Sequence, residues 1–476
     1  MMKKMIVLMA VLLALLLQLR EKLGYKPKNG GKSLSAETIT AADNYCDGYK
    51  HFLDVAKTER EAVCETIAMA EKAGFVPFNG QKNLQPGDKI YYNNRGKSLI
   101  LAVIGTRPIT DGVTLAAAHI DSPRLDLKPV PLYEDSELAY FDTHYYGGIK
   151  KYQWTAIPLA LHGTVIRRDG TSVNVNIGEQ ESDPVFCVTD LLPHLGNEQM
   201  KRPAGEIVRG EDLNVLIGSR PFRDDEGSDL VKLNILHLLY EKYDITESDF
   251  LSAELEIVPA FKAKDVGLDR SLIGAYGHDD RVCAYPAVTA LLECTTPAYT
   301  AIAILADKEE IGSEGNTGMQ SAFLRYFIDD LATVWGAEGR HVLSRSICLS
   351  ADVNAALDPI YPDVMVRTNA AQVNYGVCIT KYTGARGKSG TSDASAEYMG
   401  MIRKILDDND VLWQTGELGK VDAGGGGTVA MYIANLNVDT VDLGVPVLSM
   451  HAPFELVSKI DVYMAHRALL AAMDRK

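Results

Sequence analysis

The feature that most constrains the fold is an alternation of apolar runs and helical patterns in the second half of the chain. The runs "AELEIVPA" (253–260), "TAIAILAD" (300–307) and "RSICLSAD" (345–352) have the length and composition of buried strands. Between them, near 281–293 and 318–334, apolar residues recur at helical spacing. Because such alternation is typical of α/β domains, we predict a mixed, substantially parallel sheet flanked by helices.

The same pattern extends in both directions. Towards the carboxyl end we expect a helix near 393–407, strands in "GGGTVAMYIAN" (425–435) and "GVPVLSMH" (444–451), and a last helix over 459–473. Before the first strands, residues 36–74 have three-to-four apolar spacing and end at a glycine, which indicates helical structure.

The region 130–250 departs from this alternation. The stretches "YYGGIKKYQWTAIPLALHGTVIRRDG" and "SVNVNIGEQ" alternate like antiparallel strands with turn signals between them. A chain of 476 residues is also more naturally two domains than one. We therefore predict an α/β domain formed by 36–129 and 251–476, with a β-rich module inserted at 130–250 and an apolar extension at 1–35.

That extension contains a 13-residue apolar run, Met5 to Leu17, after a basic start. The run is short for a membrane span and suits either a signal peptide or a helix that docks on the protein or a partner. Seven widely spaced cysteines without a CxxC pair indicate reduced thiols. We expect a cytoplasmic protein, with export or membrane association through residues 1–20 as the alternative. A net charge of −15 argues against nucleic acid as a partner.

Acidic residues and histidines follow several of the predicted strands, where ligand sites form in open α/β sheets. They are His119 and Asp121 after "TLAAA", Glu309 and Glu310 after "AIAILADK", Asp352 after "SICLSA" and His451 after "PVLSM", joined by Asp279 and Asp280 ahead of a helix. Each has an ordinary alternative: a helix cap for the acids, or a buried structural role for His119. Five such segments together favour a site for zinc or a similar divalent ion, since imidazole and carboxylate both bind such ions.

Spacing suggests different roles for neighbouring residues. His119 and Asp121 are two apart, so on a strand they project to one face, where Asp121 can orient the imidazole. If Glu310 binds a metal, Glu309 beside it is free to take a proton from water. Zinc, cobalt and manganese all suit these ligands.

Five motifs together resemble one family. "AAHIDSPRLDLKP", "GHDDRVCAYPA", "DKEEIGSEGNTGM", "SADVNAALDP" and "LSMHAPFELVS" are similar, in order, to motifs of the aspartyl aminopeptidase family, the eighteenth family of metallopeptidases, in its bacterial branch. The resemblance runs from about residue 36 to the carboxyl end. It implies a dinuclear zinc peptidase fold with an inserted β-rich dimerisation domain.

The resemblance also implies a ligand set. One ion would be held by His119, Asp279 and Asp352, and the other by Asp279, Glu310 and His451, with Asp279 bridging. Glu309 matches the general base of the family, and Asp121 matches the acid that orients the histidine. Members assemble as dimers and commonly as tetrahedral homododecamers.

The implied activity is removal of N-terminal residues from peptides, with acidic residues preferred or a broader range accepted. A cation for an acidic side chain could come from Lys381, Arg386 or Lys388, for which surface positions are the alternative. His194 corresponds loosely to a histidine that relatives send into the active site of a partner subunit. Two other functions remain open: a related metallohydrolase, either a deacylase or a carboxypeptidase, and a non-catalytic assembly protein.

Overall fold

A computed structural model describes residues 22–81, 83–223 and 226–476, together with residues 6, 9, 13, 15, 18 and 19. The predicted apolar run at the N-terminus therefore lies mostly outside the described residues. Within the described part, none of the helices combines the length and the apolar character that crossing a membrane requires.

A nine-stranded mixed sheet forms the centre of the fold. In spatial order its strands are Val76–Pro77, Lys89–Asn94, Ser98–Val103, Ala301–Ala306, Thr114–His119, Ile347–Ser350, Asp439–Gly444, Val377–Thr380 and Trp413–Thr415. The four strands from Ala301–Ala306 to Asp439–Gly444 run parallel to one another. Their carboxyl ends consequently meet at one edge of the sheet, as predicted for a substantially parallel sheet.

Helices cover both faces of this sheet. One face packs against Ala36–Val55, Glu59–Lys72, His278–Glu293, Ala396–Asp408 and Lys459–Met473, and the other against Phe323–Thr333, Gly339–Leu343 and Ala430–Ala434. Along the strand Ser98–Val103, Leu99 and Leu101 enter the first core whereas Ile100 and Ala102 enter the second. Burial on both faces explains why this strand reads as a continuous apolar run.

A second sheet of seven antiparallel strands has its own core. In spatial order the strands are Ser172–Ile177, Leu159–Ile166, Ala253–Pro259, Arg124–Asp135, Leu138–Tyr146, Val215–Gly218 and Cys187–Val188. Trp154 and Phe141 are buried between this sheet and the segments that cover it, which include the helix Leu230–Tyr243. The region that the sequence predicts to be β-rich contributes most of these strands. The run 253–260, which we expected in the α/β domain, also lies in this antiparallel sheet, between Leu159–Ile166 and Arg124–Asp135.

A smaller sheet of five strands precedes the last helix, Lys459–Met473. Its strands, in order, are Lys264–Val266, Leu272–Ala275, Glu455–Ser458, Pro446–Leu448 and Asn354–Ala355. A short helix, Gly30–Ser33, precedes the first long one. The mixed α/β fold predicted from the sequence is confirmed.

The strand prediction for 425–435 was wrong. The stretch 425–435 is a glycine loop followed by the helix Ala430–Ala434, and the strand of the central sheet comes later, at Asp439–Gly444. A short apolar run cannot be assigned to strand or helix from periodicity alone, which accounts for this error. The helical region 36–74 is divided at Thr58, whose side chain forms a capping box with Glu61 and starts a new helix.

Candidate metal centre

The acids and histidines singled out in the sequence converge at the carboxyl edge of the parallel strands. His119 ends the strand Thr114–His119, and Glu309 and Glu310 follow its neighbour Ala301–Ala306. Asp352 follows the strand on the other side, Ile347–Ser350. Because these three strands are adjacent and parallel, the residues that follow them share one end of the sheet.

Two groups of three side chains are close enough to hold metal ions. His119, Asp279 and Asp352 form the first group, and Asp279, Glu310 and His451 form the second, with ligand atoms within 4.8 Å of one another in each. Nε2 of His119 lies 3.1 Å from Oδ1 of Asp279, and Nε2 of His451 lies 3.2 Å from Oδ2 of the same residue. Asp279 therefore presents one carboxylate oxygen to each group.

The chemistry of these side chains fits divalent cations. Oε1 of Glu310 is buried and has no hydrogen-bond partner among the described residues. Burial raises the pKa of Glu310 and of Asp352 well above the usual range, and raises that of Glu309 to about 7. Buried carboxylates clustered around two imidazole nitrogens are an arrangement that a divalent ion satisfies.

Asp121 connects the metal-binding groups to the loop that carries the two glutamates. Its Oδ1 lies 3.3 Å from Nδ1 of His119 and accepts a hydrogen bond from the backbone N–H of Glu309. Its Oδ2 accepts from the backbone N–H of Glu310 and from the hydroxyl of Tyr146 at 2.8 Å. Burial acts to raise the pKa of Asp121, but the contact with His119 holds it below its usual value. Asp121 is thus an ionised acceptor that orients both His119 and the Glu309–Glu310 turn.

Several residues of this site went unrecognised in the sequence. Glu455 is buried, and its carboxylate accepts hydrogen bonds from the backbone N–H groups of Asp279 and His451. The carbonyl of Gly148 accepts a hydrogen bond from Nδ1 of His451 at 2.8 Å. Tyr146 and Gly148 come from the end of a strand in the antiparallel sheet, and no local pattern distinguishes them. The one sequence signal for these residues is the position of Glu455, an acid four residues after the candidate ligand His451.

A cavity of about 430 Å³ opens onto both groups. Away from the acids its walls include Thr383, Leu418, Met450 and the glycine run 425–427. Gly425 has φ +108°, and a Cβ there would lie 1.8 Å from the carbonyl oxygen of Gly384. Glycine is therefore required where this loop lines the cavity.

The four residues considered for substrate binding lie elsewhere in the single chain. Lys381 and Lys388 both pair with Asp393, and Nζ of Lys388 lies 3.8 Å from the ring centre of Tyr382. Arg386 and His194 are exposed. Among the described residues that line the cavity, none is a lysine or an arginine.

Comparison with known proteins decides the family. Residues 52–472 match the model of the aminopeptidase I zinc metalloprotease family, M18. The chain belongs to this family. It is 52% identical over 426 residues to the "Probable M18 family aminopeptidase 1" of Clostridium acetobutylicum, covering 88% of this chain and 91% of that protein. The resemblance found in the sequence motifs is confirmed, and the chain is a metal-dependent aminopeptidase, a hydrolase of peptide bonds.

Solved structures of M18 enzymes share the fold over nearly the whole chain. A crystal structure of the M18 family aminopeptidase from Thermotoga maritima matches with a TM-score of 0.91 at 43% identity, covering 95% of this chain and 100% of that one. Aminopeptidase I from Clostridium acetobutylicum matches with a TM-score of 0.89 at 49% identity, again covering 95% and 100%. The mApe1 dodecamer of S. cerevesiae matches with a TM-score of 0.74 at 20% identity, covering 91% and 96%, which shows a common fold.

Proposed function

We propose that this M18 enzyme is a dinuclear aminopeptidase. The observation that supports this most strongly is the sharing of Asp279 between two complete ligand groups. In this proposal His119, Asp279 and Asp352 hold one ion, and Asp279, Glu310 and His451 hold the other. Zinc is the expected metal because the family is one of zinc metalloproteases and the ligands are nitrogen and carboxylate oxygen. Cobalt and manganese suit the same ligands.

The bound ions would polarise the scissile carbonyl and lower the pKa of a water molecule. Glu309 would remove a proton from that water and pass it to the leaving amine, as a general base and then a general acid. Its position supports this role, since Oε2 lies 3.8 Å from Nε2 of His119 while the side chain is 18% exposed. Asp121 would keep both His119 and Glu309 in place.

The substrate is a peptide with a free amino terminus, bound in the cavity beside the acids. We propose a range of accepted N-terminal residues that is broader than aspartate and glutamate. Lysine and arginine are absent from the described lining of the cavity, and two of the candidate cations, Lys381 and Lys388, are already paired with Asp393. Thr383, Leu418 and Met450 offer uncharged surfaces to a side chain.

The enzyme is further proposed to work in the cytoplasm as a homo-oligomer. Dimers would form through the β-rich module and assemble into a tetrahedral homododecamer. In support, the name of the mApe1 structure describes that relative as a dodecamer. In such an assembly the exposed His194 could reach the cavity of a partner subunit. The mass of the purified protein in solution distinguishes a dodecamer from a dimer.

Release of free amino acid from a panel of peptides tests the activity. The protein would be loaded with zinc or cobalt, and each peptide supplied with a free and with a blocked amino terminus. We expect release of neutral residues at rates comparable to acidic ones, and no release from blocked peptides. Preference for blocked substrates would instead indicate a deacylase, release from the carboxyl end a carboxypeptidase, and absence of all cleavage an assembly protein.

A further inference from the structure

Glu455 lies behind the second metal-binding group without entering it. Its side chain is 1% exposed, and it begins the strand Glu455–Ser458, which pairs with Leu272–Ala275 just ahead of Asp279. The strand pairing places Glu455 opposite Ala275. A carboxylate at this position can reach both Asp279 and the turn that carries His451.

Each carboxylate oxygen of Glu455 holds one ligand residue. Oε2 accepts a hydrogen bond from the backbone N–H of Asp279 at 3.1 Å, and Oε1 accepts from the backbone N–H of His451 at 2.6 Å. Neither ligand residue is in regular structure: Asp279 has non-helical angles at the start of its helix, and His451 has φ +62°. The left-handed conformation of His451 is one that persists where surrounding contacts determine it.

Glu310, the third residue of the second group, is also held through its backbone by a buried carboxylate. The backbone N–H of Glu310 donates to Oδ2 of Asp121 at 3.1 Å. Asp279, Glu310 and His451 are therefore all fixed through their backbone N–H groups by buried carboxylates, two of the three by Glu455. In the first group, Glu455 holds only the shared residue Asp279.

We propose that Glu455 is a positioning residue that sets the affinity of the ion held by Asp279, Glu310 and His451. This inference rests on the proposed two-ion centre. Glu455 acts on the ion through the backbones of two of its ligands, and contacts neither the ion nor the substrate. Residues that orient metal ligands from behind commonly contribute a large part of the affinity of a site.

Glu455→Gln tests this role with little change of shape. The amide oxygen of glutamine can still accept a hydrogen bond from one of the two backbone N–H groups. The amide NH₂, which only donates, would face the other N–H group, so one ligand residue loses its hydrogen bond. Asp461→Asn is the matched control. Asp461 is also buried, and its carboxylate accepts from the backbone N–H groups of Asn374 and Gly376 at 2.7 and 2.6 Å, neither of which belongs to the metal-binding groups.

The measurement is Zn²⁺ affinity of ion-free protein, by competition with a chromophoric chelator. Each substitution would be made in His119→Ala, which leaves the second group, and in His451→Ala, which leaves the first. We expect Glu455→Gln to weaken Zn²⁺ binding by about 10–100-fold in His119→Ala and by no more than about threefold in His451→Ala. Asp461→Asn should leave both affinities unchanged.

Equal losses in the two backgrounds, no loss in either, or the same loss for Asp461→Asn would each overturn the inference. If Glu455→Gln does not fold, Glu455→Asp, whose shorter side chain cannot reach both N–H groups, serves with the same expectations. The proposed function fails differently. An unsubstituted chain that binds fewer than two ions would contradict the dinuclear centre, and with it this inference, before any variant is compared.

Discussion

Two clusters of buried charge in this enzyme differ in what neutralises them. At the metal centre, Glu309, Glu310 and Asp352 have raised pKa values because they are buried beside other acids. The second cluster, which we call the junction cluster, consists of Lys57, Glu61, His162, Glu179 and Lys262. There, burial acts to raise the pKa of Glu179, but His162 and the two lysines lower it to about 2.

The geometry of the junction cluster explains this difference. Nζ of Lys57 lies 2.6 Å from Oε1 of Glu179, and Nζ of Lys262 lies 2.6 Å from Oε2. His162 bridges Glu61 and Glu179 at 2.8 and 3.1 Å. The chain thus supplies its own cations where the helix Glu59–Lys72 meets the antiparallel sheet. At the metal centre the chain supplies only two histidines against several carboxylates among the described residues. The carboxylate charge that the histidines leave unbalanced suits bound metal ions.

The largest expected effect is that of removing the metal ions from the centre. Dialysis against a chelator should reduce peptide cleavage below detection, because the bound ions would both polarise the carbonyl and lower the pKa of the attacking water. The thermal midpoint should fall as well, since ligands that bind only the folded state stabilise it. Adding back Zn²⁺ should restore both quantities. Full activity after chelation would show that the acids at this centre do not need metal ions, and would contradict the contrast with the junction cluster.

The next effect separates the two adjacent glutamates. Glu309→Gln should lower kcat by about 10²–10⁴-fold, as for a lost acid–base group, while both ions stay bound. Glu310→Gln is the matched variant and should lose ion content, because it removes a ligand of the second group. Metal analysis beside steady-state kinetics distinguishes them. Loss of ions from Glu309→Gln would show that Glu309 is a ligand and not the base.

At the junction cluster, acid should weaken the fold. Because the pKa of Glu179 is about 2 in the folded protein, against 4.5 ordinarily, its contribution is complete above pH 4.5 and is lost as the pH falls towards 2. The difference in unfolding free energy between the unsubstituted enzyme and Glu179→Gln should shrink by about 3 kcal/mol over that interval. Denaturant titrations at several pH values measure it, and a difference independent of pH would contradict the prediction.

The smallest effect has the opposite sign and concerns ion-free protein. Since the pKa of Glu309 is raised to about 7, its contribution is complete below pH 4.5 and is lost as the pH rises through 7. Ion-free Glu309→Gln should therefore be more stable than the unsubstituted chain at pH 8, by at most about 3 kcal/mol. Thermal unfolding in chelator tests this. If Glu309→Gln is instead less stable than the unsubstituted chain at pH 8, other groups of the chain stabilise the ionised carboxylate of Glu309.

Much of the metal centre could be predicted from the sequence because its residues follow strands. His119, Glu309, Glu310 and Asp352 stand directly after apolar runs, and a parallel sheet brings such ends together. His451 was also expected after a strand, but it follows Pro446–Leu448 of the small sheet, in a left-handed turn. Its approach to Asp279 depends on contacts across the chain that periodicity does not encode.

From the sequence alone, strand periodicity predicted the α/β class and the β-rich region, and the motif resemblance implied the candidate metal-binding residues, because periodicity and short motifs are local properties. Only the tertiary structure decided that Glu455 and Gly148 support His451, and that Lys381 and Lys388 pair with Asp393. The physical reason is that hydrogen bonds and ion pairs extend only a few ångströms. Residues 172 positions apart, such as Asp279 and His451, come within that range only once the whole chain has packed.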